Sequence, residues 1–310
     1  MSRNNDYIKP SRELVYDFLY NNENPIKYSF RKENKKLSDD YEGVVNFKLY
    51  RIDPTDFDCD RCELNMSIWC ILLENMDKVK EVIGYKGRTI RYIDLNDNIV
   101  EVETDTINSL GTELNRFIRE VILRKYDCSW VYLYSNGVKI EQGKKVYDYY
   151  DLNRRKQSEK NRDLWFIDNY KEIFKEDTLN EHETRKISAF NKLADTMHTI
   201  GNFMIGPVGF NYSDSRAKSH FQDRFDLFIK EVISNEDYEK WKEWFMQYGD
   251  ILFISSYFEN KCINWDDKNK VINLRSGDVS NWEEIVNVII EERSKIIVEM
   301  LKNIIKRKEE

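Results

Sequence analysis

The chain has 310 residues, with 49 Lys and Arg against 56 Asp and Glu, a formal net charge of −7, and 41% hydrophobic and 14% aromatic residues. That apolar content can fill a core and excludes disorder of the whole chain, while 11 Gly and 4 Pro exclude collagen-like and low-complexity classes. The acidic balance disfavours a protein held to nucleic acid by broad phosphate neutralisation, so any such contact must be local.

At the start, Arg3, Asp6 and Lys9 have no apolar block behind them, which does not fit a secretory signal peptide. The longest uninterrupted apolar stretch, Ile68–Leu73, is six residues, far short of the ~20 needed to span a bilayer. The expectation is a cytoplasmic protein with no membrane partner and with its five Cys reduced.

Along the chain, Leu14, Val15, Phe18 and Leu19 recur at three and four and predict a helix over 11–20, with Ser11 as N-cap. Val44–Ile52 alternates as a strand closed by Pro54. Two alternating runs between Arg88 and Glu103, parted by Asn96, Asp97 and Asn98, predict a hairpin. Asn108–Tyr126 carries one apolar stripe and reads as a helix. Trp130–Tyr134 and Val138–Ile140 flank Asn136-Gly137, whose positive φ angles suit a second tight hairpin. The polar stretch Asp151–Asp163 is placed as the domain boundary. Helical spacing then covers 164–174, 184–195, 221–233, 237–248 and 282–308, with strands expected at 251–258 and 270–274. The predicted fold is α+β: a strand-hairpin-rich portion over 1–150 and a mainly helical portion over 164–310. The wide apolar stripe of 282–308 implies burial on two sides or a homodimer contact.

Phosphate-binding Gly signatures, the GxSxG elbow and the HExxH helix are all missing from the sequence. Cys59 and Cys62 form a CxxC, but the remaining cysteines stand apart and carboxylates flank the pair, so reduced, metal-free thiols in a polar loop are expected. The segment 193–228 departs from the background, gathering Gly201, Gly206, Pro207 and Gly209 in a chain poor in both residues. Such a cluster predicts an irregular loop between helices, where sites tend to lie. His198, Asn202, Asn211, His220 and Asp226 are the candidate catalytic residues, and Arg216, Lys218 and Arg224 the candidate phosphate binders. Folded together they would offer a general base, amide donors and cations in a polar pocket, with a divalent metal as the conceivable cofactor. The alternative is that the Asn side chains cap backbone groups and that Asp223, Arg224 and Asp226 form a helix-start ion pair.

The string His198-Thr199-Ile200-Gly201-Asn202-Phe203, followed by Pro207, Asn211 and Asp223-Arg224-Phe225-Asp226-Leu227, resembles a segment of an uncharacterised family of bacterial proteins. More remotely, the Ile-Gly-Asn run and later Asn are similar to the C-terminal HNH-like nuclease domains of GmrSD-type restriction systems. In that pattern an upstream His-Ile-x-Pro supplies a metal-facing His, whereas His182 here stands in Glu181-His182-Glu183-Thr184 without the Pro. The resemblance implies a divergent or inactive relative. Two function classes follow: a defence-type protein directed at nucleic acid or a nucleotide through its phosphodiester, or a non-enzymatic protein-interaction module in which the HTIGN loop is structural.

Overall fold

The computed structural model describes residues 7–30, 59–108, 130–134, 137–142, 145–150, 176–209, 225–272 and 281–306, with Phe117, Val121 and Arg124 as helical residues between them. The expected strand 44–52 with Pro54, the helix 164–174 and the boundary 151–163 lie outside the described residues. The fold is α+β, and no helix among the described residues is long and apolar enough to cross a membrane. By contact the chain forms two units: one of 1–35, 57–109 and 195–310, the other of 36–56 and 110–194. The units are therefore not the two halves of the chain.

In the first unit, helix α1 (Arg12–Tyr20) starts at Ser11, whose side chain accepts from the Leu14 N–H and so satisfies one orphan donor of the first turn. Helix α2 (Glu63–Glu74) begins at Cys62 and buries ten consecutive residues, Leu64 to Leu73, Trp69 among them. A helix buried on all sides, Asn65 and Ser67 included, has no clear amphipathic period, and its sequence shows only a short apolar run. Strands β1 (Val79–Lys86), β2 (Thr89–Asp94) and β3 (Ile99–Thr106) form an antiparallel meander. The β2–β3 turn follows its sequence chemistry: Asp94 Oδ1 accepts from the Asn96 and Asn98 N–H groups, both at 2.8 Å, and Asp97 takes φ 62°. On β1, Gly84 has φ +141° and lies against the Ile8 carbonyl, where any Cβ would collide. Ile8 pairs there with Tyr85, covering part of the β1 edge.

Second unit elements are β4 (Trp130–Tyr134), β5 (Gly137–Gln142) and β6 (Lys145–Tyr150), a three-stranded antiparallel sheet in that order, and most of α3 (Glu181–Thr196). The predicted hairpin is present, and β6 extends it. Asn180 and Glu183 cap α3 reciprocally, each side chain accepting from the other's backbone N–H at 2.9 Å. Glu183 also takes the Arg124 guanidinium in a bidentate pair with both contacts at 2.6 Å.

Back in the first unit, the structure corrects the expected irregular loop: Phe203–Pro207 is a strand, β7, pairing with β3 to give the order β1-β2-β3-β7. Phe203, Met204 and Ile205 are all fully buried, so both faces of β7 are covered and no alternation marks it. Helices α4 (Phe225–Ser234), α5 (Glu239–Leu252) and α6 (Asn281–Lys306) match three of the expected helices. The expected strand over 251–258 is instead the end of α5, Phe253 in the left-handed region (φ 52°, ψ 42°) and a 3-10 turn over Ile254–Tyr257. Of the expected strand 270–274, Lys270 ends a 3-10 turn and Val271 makes one isolated bridge with Phe258. The apolar, β-branched and aromatic composition of 251–258 mimics a strand, but these side chains fill the core around a helix terminus. Helix α6 packs on α1, α2 and the turns 25–27, 200–202 and 254–257, burying Ile289, Ile290, Ile297, Val298 and Leu301. Its wide stripe is thus used on two sides within its own unit, although Val288 is half exposed rather than inward.

Candidate functional site

The segment after α3 is a tight polar knot. The Thr199 hydroxyl donates to the Thr196 carbonyl at 2.7 Å and the Thr196 hydroxyl to Asn287 Oδ1 at 2.6 Å, tying the end of α3 to α6. A 3-10 turn over Ile200–Asn202 follows, with Ile200, Gly201 and Asn202 fully buried. The Gly201 N–H donates to Ser294 Oγ at 3.0 Å, and a Cβ on Gly201 would meet the Ile290 carbonyl and stand 2.7 Å from the Ser294 nitrogen. Only glycine fits against α6 here.

Asn202 lies at the centre, 0% exposed. Its Oδ1 accepts from the Asn108 backbone N–H at 3.1 Å and from Asn108 Nδ2 at 3.2 Å. Its Nδ2 donates to the Asn108 and Met197 carbonyls, each at 2.9 Å. A carboxamide has two donor hydrogens and two acceptor lone pairs, so every hydrogen-bonding position of this side chain is spent inside the protein. Its own carbonyl accepts from the Ile107 N–H at 2.8 Å, which extends the β3–β7 pairing. Asn108 Nδ2 continues to the Tyr257 hydroxyl at 2.7 Å, and the Tyr257 ring meets Phe225 edge-on at 4.9 Å.

Arg293 closes the knot from α6. Fully buried, it donates from Nη1 to the Gly201 carbonyl and from Nη2 to the Phe203 carbonyl at 3.2 Å and the Leu252 carbonyl at 2.8 Å. One guanidinium thereby caps the 200–202 turn, the start of β7 and the last residue of α5, whose carbonyl ends carry partial negative charge. Burial pulls this guanidinium down to about 10, with Tyr257 opposing, so it stays cationic at neutral pH.

Among the predicted site residues, His198 is half buried and its carbonyl accepts from the Phe30 N–H at 3.0 Å. Asp226 is buried in the first turn of α4, a position the helix dipole favours for a carboxylate. Asn211, Arg216, Lys218, His220 and Arg224 lie outside the described residues. Sequence reasoning missed Asn108, Tyr257, Asn287, Arg293 and Ser294. A signal existed for two of them: Arg293 and Ser294 sit three and four residues after Ile290 and before Ile297, on the stripe itself, where a cation is out of place unless it is inward.

A second polar cluster lies along β3, which presents Glu101, Glu103 and Asp105 at alternate positions on one face, Glu103 and Asp105 buried and Glu101 partly exposed. Glu101 Oε1 accepts from Arg91 Nε at 2.8 Å and the Tyr7 hydroxyl at 3.2 Å, while Glu103 Oε2 faces Arg88 at 3.4 Å and the Gly209 N–H at 3.3 Å. Asp105 Oδ1 accepts from the Thr106 N–H at 2.8 Å. Each carboxylate already has a partner within the chain. Cys59 and Cys62 are buried, not in a polar loop, and the Asn65 N–H donates to Cys62 Sγ at 3.3 Å. Among the described residues no group of three or more His, Cys, Asp or Glu is placed to hold a metal ion. Compared with known proteins, the chain matches no family model, no curated protein and no solved structure.

Proposed function

We propose that the chain is a cytoplasmic, non-enzymatic protein-interaction module and that its HTIGN segment is a structural fastening. The observation that carries this reading is the saturation of Asn202: a fully buried amide with two acceptor and two donor contacts to its own chain has nothing left to offer a substrate. The same segment fixes α6 through Gly201 and Arg293, a role that accounts for its Gly and Asn without chemistry. For binding, the chain offers Leu95 and Ile99, 63% and 64% exposed on either side of the β2–β3 turn. A phosphodiester-directed activity of the segment would need Asn202 free to orient His198 or a phosphate.

The test pairs cleavage with stability. Purified protein is incubated with labelled single- and double-stranded DNA and RNA in Mg2+ or Mn2+, beside His198→Ala and Asn202→Ala, and the melting temperature of each is recorded. The reading expects no metal-dependent cleavage by any of the three and a large drop in melting temperature for Asn202→Ala. Cleavage by the wild type that His198→Ala abolishes at an unchanged melting temperature would overturn it.

A further inference from the structure

Cys59 and Cys62 lie in the core cluster of the first unit, three positions apart at the start of α2. Cys59–Arg61 is a single 3-10 turn, and the Cys62 N–H donates to the Cys59 carbonyl at 3.3 Å. A turn closed in this way holds its first and fourth Cα atoms within about 7 Å, and a disulfide asks for roughly 4.4–6.8 Å. Cys62 is also the N-cap of the 12-residue α2, its sulfur taking the Asn65 N–H. That donor and the positive end of the helix favour negative charge on Cys62 Sγ, in opposition to the carboxylates of Asp60 and Glu63 that flank it in sequence. The other described thiols differ: Cys70 is fully enclosed in α2 and its thiol is pushed up by burial, whereas Cys262 is exposed and distant in sequence.

We infer that Cys59 and Cys62 form a peroxide-sensitive dithiol, with Cys62 as the attacking sulfur and Cys59 as the resolving one. Exposures of 7% for Cys59 and 5% for Cys62 admit a small oxidant such as hydrogen peroxide rather than a bulky disulfide. The Cys62 thiolate attacks one peroxide oxygen, the O–O bond breaks, and hydroxide leaves, giving a sulfenic acid. The Cys59 thiolate then attacks Cys62 Sγ, the S–O bond breaks, and the oxygen departs as water once protonated. In sum the dithiol gives up two electrons and two protons, and the peroxide is reduced to two waters. Closing the bond ties the sulfur that caps α2 to the preceding turn, so the oxidation state is coupled to the start of a helix whose Leu64–Leu73 run is buried throughout. A thiol reductant reverses it. This inference is independent of the binding reading proposed above.

The test uses the full chain. Folded protein is treated with graded hydrogen peroxide, its remaining thiols are alkylated after unfolding, and the cysteine peptides are mapped by mass with and without dithiothreitol. Oxidation of exposed Cys262 serves as the dose control. The expected result is a Cys59–Cys62 disulfide, lighter by two hydrogens and reversed by dithiothreitol, together with a dimedone adduct on Cys62 in Cys59→Ser. Full alkylation of both cysteines at doses that oxidise Cys262, or a disulfide from either one to another cysteine, would overturn the inference. If Cys59→Ser fails to fold, the wild-type map decides alone.

Discussion

Two polar clusters of the first unit invite comparison: the knot around Asn202 and Arg293, and the row of carboxylates on β3. The first lies just past the end of β3, at Asn108, and the second along the strand itself. In the knot the side chains are three amides, hydroxyls and one guanidinium, and their partners are mostly backbone carbonyls and N–H groups from distant segments. On the β3 face Glu101 pairs with Arg91 and Tyr7, its neighbours on the sheet and the N-terminal segment, with Arg91 and Glu101 side chains 26% and 36% exposed. Burial decides the difference. Water can replace a partner of Glu101, but not one in the knot nor readily one of Glu103 and Asp105, which are 8% and 7% exposed, so the knot holds the fold together and only the Glu101 end of the row tunes the surface.

The largest expected effect comes from removing the clamp. Arg293→Met keeps volume and strands three carbonyls, so it should lower unfolding free energy by about 3–5 kcal/mol, measured as a shift in urea midpoint at unchanged slope. A loss below about 1 kcal/mol would place this guanidinium on a level with surface ion pairs and erase the contrast.

Gly201→Ala comes next. Its methyl would strike the Ile290 carbonyl and the Ser294 backbone on α6, and backbone on a packed helix gives way only at a cost of about 2–3 kcal/mol. Thermal melts report it. A neutral result would show that the close approach of the 200–202 turn to α6 is not required.

The smallest effect belongs to the other cluster. Glu101→Gln keeps the shape and removes the charge facing Arg91, for a change under about 1 kcal/mol that shrinks further in high salt. Melts at low and high ionic strength measure it, and a salt-insensitive loss comparable with that of Arg293→Met would contradict the division of roles.

Much of the fold was legible where its causes are local. Ser11 starts α1 by capping it, Asp94 folds the β2–β3 turn onto its own backbone, and the long stripe of α6 announces a helix. What stayed hidden has causes that sequence spacing does not carry. Helix α2 is buried all round and β7 on both faces, so neither shows a period. The run 251–258 has strand composition, yet Phe253 turns left-handed to end α5 beneath Arg293. The HTIGN segment stood out as unusual, and the reason lies in partners 94 positions away at Asn108 and 92 away at Arg293. Unusual composition marked the place without revealing whether its use was chemical or structural.

The most direct measurement of the central claim is a double-mutant cycle between Asn202 and Asn108 read by chemical unfolding. With Asn202→Ala, Asn108→Ala and the pair compared to wild type, side chains that hydrogen-bond each other in a buried network should show a coupling of about 1–3 kcal/mol. Effects that add to within about 0.5 kcal/mol would contradict the account, because the Asn202 amide would then be free of Asn108 and open to other work.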